Sequence, residues 1–216
     1  MSSQPDGIAR EIREVFAESG VPQLPASCYD QFSAYLGLLL RWNARLSLTS
    51  VREPRQIMRR HLAECAFAAH HLPVDIENLL DYGSGAGLPG IPFAICRPEI
   101  CVTLGEAHGK KASFLREVVR TIGTRTEVYD GRVETMAHGC LFHAVSMRAV
   151  ERMEPAIPAA VRMVERYLVL LTTERSASVF GKLVPELRWL DPVHLPNSDQ
   201  MILSVGERRE PTGLHG

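Results

Sequence analysis

Leu79-Leu80-Asp81-Tyr82-Gly83-Ser84-Gly85-Ala86-Gly87-Leu88-Pro89-Gly90 decides the fold of this chain, because it runs from a short apolar strand through a turn of small residues into a helix. Glycines at such a turn allow positive φ and close approach of a ligand to the main chain. Two registers fit. Counted from Gly85 the stretch reads Gly-x-Gly-x-x-Gly, the dinucleotide fingerprint; counted from Gly83 it reads Gly-x-Gly-x-Gly behind an acidic strand end. The second register fits better. A dinucleotide loop places its first glycine directly after the strand and aims an uninterrupted helix N-terminus at a pyrophosphate, whereas Gly85 lies four residues beyond Asp81 and Pro89 and Pro92 interrupt the following turns.

The next strand, Ile100 to Leu104, ends in Gly105-Glu106 and sets a carboxylate 23 residues after Gly83. A carboxylate in that place accepts both hydroxyls of an adenosyl ribose. A glycine turn that need not hold a phosphate, paired with that acid, points to S-adenosylmethionine as the cofactor.

Outward from the turn, the texture differs on the two sides. Before it, Ile8, Ile12, Val15 and Phe16, then Tyr29, Phe32, Leu36, Leu39 and Leu40, then Ile57, His61, Leu62, Cys65 and Ala69 recur at helical spacing, with breaks at Gly20 to Pro25 and at Pro54. Residues 1–75 therefore read as a helical N-terminal cap and 76–216 as a second unit. In that unit, strands are expected at Leu79 to Tyr82, Ile100 to Leu104, Thr126 to Tyr129, Ala144 to Met147, Tyr167 to Leu171 and Met201 to Val205. Helices are expected at Ile91 to Cys96, Lys110 to Ile122 and Ala156 to Val164. Alternation of this kind gives an α/β fold, a Rossmann-like parallel sheet with helices on both faces. Arg208 to Gly216 read as a frayed end.

With 216 residues, 45% hydrophobic and 23% charged, the chain needs no covalent staples. No apolar run reaches the ~20 residues of a membrane span, and the polar, acid-bearing stretch Met1 to Arg13 resembles neither a secretory nor a transit signal. The reading is a cytoplasmic protein with no membrane partner. Cys28, Cys65, Cys96, Cys101 and Cys140 form no Cys-x-x-Cys pair and read as reduced thiols, with no metal site. Net charge is −1, yet residues 41–60 carry six arginines against the single acid Glu53. That local surplus suits either phosphate contact or a solvated helix face.

Three stretches together resemble the bacterial 16S ribosomal RNA guanine-N7 methyltransferases, also called glucose-inhibited division protein B. They are Trp42-Asn43 with Leu48-Thr49-Ser50-Val51-Arg52 and Arg60-His61-Leu62; Gly83 through Pro92; and Gly109-Lys110-Lys111 with Phe114-Leu115-Arg116. The resemblance spans roughly Tyr29 to Arg148. It implies an N-terminal helical cap on a seven-stranded methyltransferase sheet, cofactor contacts at Gly83, Gly85, Gly87 and Leu88, ribose at Glu106, adenine against Val133 and Glu134, and Arg148 beside cofactor and substrate. Against that family's usual pattern the chain has Glu106 and His143 in place of Asp, Met147 in place of Ser, Glu64-Cys65 in place of Asp-Ser, and Thr172-Thr173-Glu174 where a Lys-Gly follows the fifth strand. These departures are expected to cluster at the site.

Purine N7 carries a free lone pair, so its methylation requires alignment and neither a general base nor a nucleophilic cysteine. Arg148 suits guanine O6, the neighbour of N7 on the edge arginine reads; its plain alternative is an ion pair, with Glu151 the nearest carboxylate in sequence. Arg59, Arg60, Lys110 and Lys111 are assigned to phosphates of the RNA. His61 reads as a hydrogen-bonded core histidine, Glu64 as the i,i+4 partner of Arg60, and Trp42 and Tyr35 as packing of the cap. The resulting function is an S-adenosylmethionine-dependent methyltransferase of guanine N7 in 16S ribosomal RNA or the small ribosomal subunit, working as a monomer. The alternatives are a methyltransferase of this fold with a different substrate, and a non-catalytic S-adenosylmethionine-binding interaction module.

Overall fold

The computed structural model describes residues 5–136, 139–148 and 153–209. Its N-terminal part holds helices α1 (Pro5–Glu18) and α2 (Ala26–Leu46), then a continuous helical run of α3 (Pro54–Ile57), a π-helical turn (Met58–Ala63) and α4 (Glu64–His70). The apolar stripes account for the packing: Ile12, Val15, Phe16, Phe32, Leu36 and Leu39 are buried, and the Phe16 ring meets Phe32 edge-on at 5.0 Å. Glu53 starts the third run by accepting the N–H groups of Arg55 and Gln56, with Pro54 at the first helical position.

From Asn78 the chain alternates: β1 (Asn78–Tyr82), α5 (Gly90–Cys96), β2 (Cys101–Glu106), α6 (Gly109–Ile122), β3 (Thr126–Asp130), β4 (Phe142–Arg148), α7 (Met153–Val161), β5 (Val164–Thr173), α8 (Glu174–Leu183), β6 (Leu187–Trp189), β7 (Val193–His194) and β8 (Met201–Arg208). Strand order is β3-β2-β1-β4-β5-β8-β6, with β7 paired to β8. The five strands from β3 to β5 are parallel, as expected, but β8 runs antiparallel to β5, β6 and β7, so the sheet is mixed rather than parallel. The reason lies in the connections. A hairpin-like return needs no crossover helix, and the chain from Leu187 to Arg208 contains none. Arg208, read as frayed, is anchored instead: its guanidinium donates to the carbonyls of Val164 and Val161 at 3.2 and 2.8 Å.

One sheet face (Leu79, Val102, Leu104, Ala144, Val169, Leu171) shares a single buried cluster with α5, α6 and all the N-terminal helices; the other (Leu80, Tyr82, Val145, Met147, Leu168, Leu170) packs on α7 and α8. Trp42 and Tyr35 belong to the packing of the cap, as read. The Trp42 ring lies 5.9 Å from Phe114 and donates its N–H to Glu117 at 2.8 Å, and the fully buried Tyr35 hydroxyl donates to the carbonyl of Ala86 at 2.6 Å. Through Tyr35 the cap fixes the glycine turn. Tyr35→Phe leaves that buried carbonyl unpaired, a loss of about 1–3 kcal/mol; urea unfolding should show a lower midpoint at unchanged m, and an unshifted midpoint would refute the link.

Candidate active site

The chain leaves β1 for β2 and β3 on one side, then returns to β4 on the other, so the order of strands reverses between β1 and β4. In open α/β sheets ligands lie outside the carboxyl ends of the strands at such a reversal. A cleft of about 490 Å³ opens there. Its walls come from the loop after α2 (Leu48, Thr49, Ser50), the π-helical turn (His61), the glycine turn (Gly83 to Ala86, Leu88), the end of β2 (Glu106), the start of α6 (Lys111) and the end of β4 (Arg148).

Gly83, Gly85 and Gly87 all have positive φ, at 73°, 56° and 88°. Their surroundings separate their roles. A Cβ on Gly87 would stand 2.7 Å from Ile91 Cγ1, and one on Gly90 would stand 2.5 Å from Leu104 Cδ2 and 2.8 Å from Asp81 Oδ2, so those two glycines serve close packing of α5. A Cβ on Gly85 would meet nothing nearer than the Gly83 carbonyl at 3.8 Å. It would project into ligand space. Beneath the turn, the buried Asp81 carboxylate accepts from the Ser146 hydroxyl at 2.9 Å and from the Gly90 N–H at 3.2 Å. Burial pushes its pKa up to about 6 against those hydrogen bonds.

Glu106 closes the other side. Its Oε2 accepts from the Gly85 N–H and its Oε1 from the His108 N–H, each at 2.8 Å. Two backbone donors leave carboxylate lone pairs for the vicinal hydroxyls of a ribose. An open cradle at Gly85 beside a carboxylate held in place fits an adenosyl group.

Arg148 ends β4 inside a cage built by the π-helical turn and α4. Its Nη2 donates to Glu64 Oε2 at 2.8 Å and to the Arg60 carbonyl at 2.8 Å, and its Nη1 to Cys65 Sγ at 3.1 Å. The Glu64 and Arg148 side chains are only 3% and 10% exposed. Glu64 is therefore the partner of Arg148 and not, as its spacing suggested, of Arg60; an i→i+5 turn takes residues i and i+4 out of register. Glu151 lies outside the described residues. Burial pushes Glu64 up to about 7, opposed by Arg148 and Arg60, and Cys65 up to about 12, so its thiol stays protonated. His61, read as a core residue, is instead half-buried in the cleft wall, where Nε2 meets Thr49 Oγ1 at 2.8 Å and Nδ1 the Arg60 carbonyl at 3.0 Å. Burial and the Arg148 charge lower its pKa to about 4, which keeps the ring neutral near pH 7.

Among the positions assigned to the cofactor, Gly83, Gly85, Leu88, Glu106 and Arg148 thus line one cleft, and Gly87 lies behind it. Val133 and Glu134 line a separate cavity of about 270 Å³, where Glu134 accepts the Tyr82 hydroxyl and Val133 packs over Gly105. Of the cations assigned to RNA, Lys111 lines the cleft and Lys110 is exposed beside it on α6. Arg59 donates to Asn197 Oδ1 at 3.2 Å, and the exposed Arg60 has no carboxylate partner among the described residues. Of the other arginines in residues 41–60, Arg41 pairs with Glu117 and Arg55 with Glu11 and Glu18. The surplus is thus partly neutralised on the surface. Thr49 and Ser50, quoted within a motif but given no role, line the cleft as well.

A family model described as rRNA small subunit methyltransferase G (GidB) matches residues 28–175. The chain belongs to that family. A ribosomal RNA small subunit methyltransferase G from Chloroflexus aggregans is 32% identical over 94% of this chain and 91% of its own length, and one from Xylella fastidiosa strain M23 is 43% identical over 56% of each. Among solved structures, the cofactor-bound Rv0187 from MTB overlays 98% of this chain and 100% of its own with a TM-score of 0.58 at 16% identity. A SAM dependent methyltransferase from Aquifex aeolicus reaches 0.59 over 76% of this chain and 97% of its own at 12% identity. At such identities the likeness is one of fold.

The departures from the family's pattern divide: Glu106 lines the cleft and Glu64 and Cys65 hold Arg148 there, whereas His143 and Met147 lie away from it. His143 sits at the opposite end of β4, accepting from the Glu77 N–H at 3.2 Å and lying 3.6 Å from Glu165. Met147 is wholly buried in the α7–α8 face, because strand alternation turns it away from Arg148. The glycine geometry yields a two-part prediction. Gly85→Ala should lose at least tenfold in affinity for an adenosyl ligand by calorimetry, with about 1–2 kcal/mol of φ strain. Gly90→Ala should cost more stability, since its Cβ strikes Leu104 and Asp81. Undiminished affinity in Gly85→Ala would sink the cradle.

Proposed function

We propose that this chain is an S-adenosylmethionine-dependent methyltransferase acting on guanine N7 of small-subunit, 16S ribosomal RNA, as a cytoplasmic monomer. The observation that carries the reading is the juxtaposition, across one cleft, of the Gly85 cradle with its Glu106 carboxylate and the Arg148 guanidinium. The names of the relatives supply the substrate class. S-adenosylmethionine, when bound, supplies an electrophilic methyl on a sulfonium, whose positive charge ends on the acceptor base.

The residues of the chain would then divide the work of alignment, the main requirement of such a displacement. Gly83, Gly85 and Leu88 hold the amino-acid and sulfonium end, with Gly87 behind them, and Glu106 takes the ribose; Val133 and Glu134 are assigned to the adenine side. Arg148, the catalytic residue of this reading, has five N–H groups and commits three of them to protein acceptors, which leaves two for guanine O6 while N7 stays free. Arg59, Arg60, Lys110 and Lys111 meet phosphates, positioning RNA without reading its sequence.

The test is methyl incorporation into small-subunit RNA, with the modified base identified by mass. Arg148→Ala strands the buried Glu64 carboxylate, a change that costs about 3–5 kcal/mol in comparable pairs. Arg148→Lys is therefore the informative variant: it keeps the charge, loses the fork, and should lower kcat at least tenfold with cofactor affinity within about threefold. Wild-type turnover in Arg148→Lys would remove the role. In a separate titration, Arg60→Ala and Lys111→Ala should each reduce the slope of log K for RNA against log salt by about 0.7–1. Unchanged slopes would place the RNA elsewhere.

A further inference from the structure

Glu64 reaches the cleft only through Arg148. Its side chain is 3% exposed, whereas Arg148 lines the cleft and is gripped by Glu64, Cys65 and the Arg60 carbonyl. Glu64 directly follows the π-helical turn, and its carboxylate pairs with Arg148 at the end of β4. We propose that Glu64 is a positioning residue for methyl transfer, fixing the plane of the Arg148 guanidinium and cancelling its charge so that the target base meets a neutral wall.

The proposal rests on the methyltransferase reading and adds an electrostatic requirement to it. Methylation of a purine at N7 forms an N–C bond with the ring lone pair as the S–C bond breaks; no proton moves, and the base takes over the positive charge the sulfur loses. An uncompensated guanidinium beside that base opposes the charge as it develops, all the more in a site of low dielectric. The groups around the carboxylate supply no other anion in its place. Arg148 faces it from β4 and Arg60 from the π-helical turn; His61 is neutral, with a pKa lowered to about 4. The Cys65 thiol on α4 stays protonated, and Asp81 on β1 is committed to Ser146 and Gly90. Burial lifts Glu64 to about 7, so the compensating charge changes across the neutral range, above the step of Asp81 at about 6.

Guanine N7 and the sulfonium do not titrate between pH 6 and 8; Asp81, lifted to about 6, does so below Glu64, and the Glu64→Gln variant, which keeps Asp81, separates the two carboxylates. The experiment measures kcat and KM for small-subunit RNA from pH 5.5 to 8.5 in the full-length wild type, Glu64→Gln and Glu64→Asp. Cofactor affinity by calorimetry and thermal unfolding are followed at each pH. Wild-type kcat should fall as pH drops through about 7 with KM little changed. Glu64→Gln should be at least tenfold slower at pH 8 and flat from pH 7 to 8.5, where, of the two carboxylates, only Glu64 titrates in the wild type, while binding cofactor within threefold of wild type. Glu64→Asp should restore most of the rate and the pH dependence. A flat wild-type profile, a Glu64→Gln enzyme as fast as wild type at pH 8, or a folded Glu64→Asp no better than Glu64→Gln would each overturn the proposal. If Glu64→Gln does not fold, the wild-type profile and Glu64→Asp decide. A wild type that binds cofactor but methylates no RNA at any pH overturns the functional reading itself, and this inference with it.

Discussion

The Asp81 carboxylate is the constraint on which the rest of the site depends. It is buried at the end of β1 and faces its register partner on β4, Ser146, whose hydroxyl it accepts, while its other oxygen takes the N–H of Gly90 at the head of α5. Burying a carboxylate is costly without such partners, and here each bond also fixes a piece of backbone. The bond to Gly90 sets the far end of the glycine turn, and the bond to Ser146 ties that turn to the strand whose last residue is Arg148. Cofactor side and substrate side are thereby held by one side chain. The two close-packed glycines follow from the same demand, because α5 has to start directly over Asp81 and Leu104.

A second carboxylate extends the frame to β2. Glu106 bridges two turns, accepting from Gly85 in the glycine turn and from His108 in its own. A third, Glu64, holds Arg148 from the helical cap. The cap is thus part of the site: Tyr35 pins Ala86, Thr49 meets His61, and α4 cages the guanidinium. Its apolar stripes merge with one face of the sheet in a single buried cluster, so the contacts that stabilise the cap are also those that shape the cleft wall.

The chain itself made the glycine turn, the acid after β2 and the helix-then-alternation pattern legible, because each is written in residues adjacent in sequence. The mixed edge was not: β8 looks like any apolar strand, and its antiparallel direction is fixed by the connections that return to β5 and β6. α8 was missed because Thr172-Thr173-Glu174 reads as polar loop, whereas the Thr173 hydroxyl in fact accepts from the Ser176 N–H at 3.2 Å and caps a helix. Least legible was the Glu64–Arg148 pair, whose members are 84 positions apart. Spacing along a regular helix assigned Glu64 to Arg60, and only the π-helical widening, which leaves no mark in local propensity, moves it to β4.

The departures from the family's usual residues bear on function through position rather than number. His143 and Met147 lie at the far end and on the opposite face of β4, so the strand that carries Arg148 to the cleft can vary there without touching its chemistry. Where the resemblance implies a Lys-Gly, the run Thr172-Thr173-Glu174 supplies a helix cap and a Glu174 side chain lying 3.5 Å from His194. Among the described residues, the lysine and arginine side chains that line the cleft are Lys111 on α6 and Arg148 on β4. The cleft between cap and sheet thus carries the Lys111 ammonium beside an Arg148 guanidinium whose charge is balanced by Glu64 and which keeps two donors uncommitted.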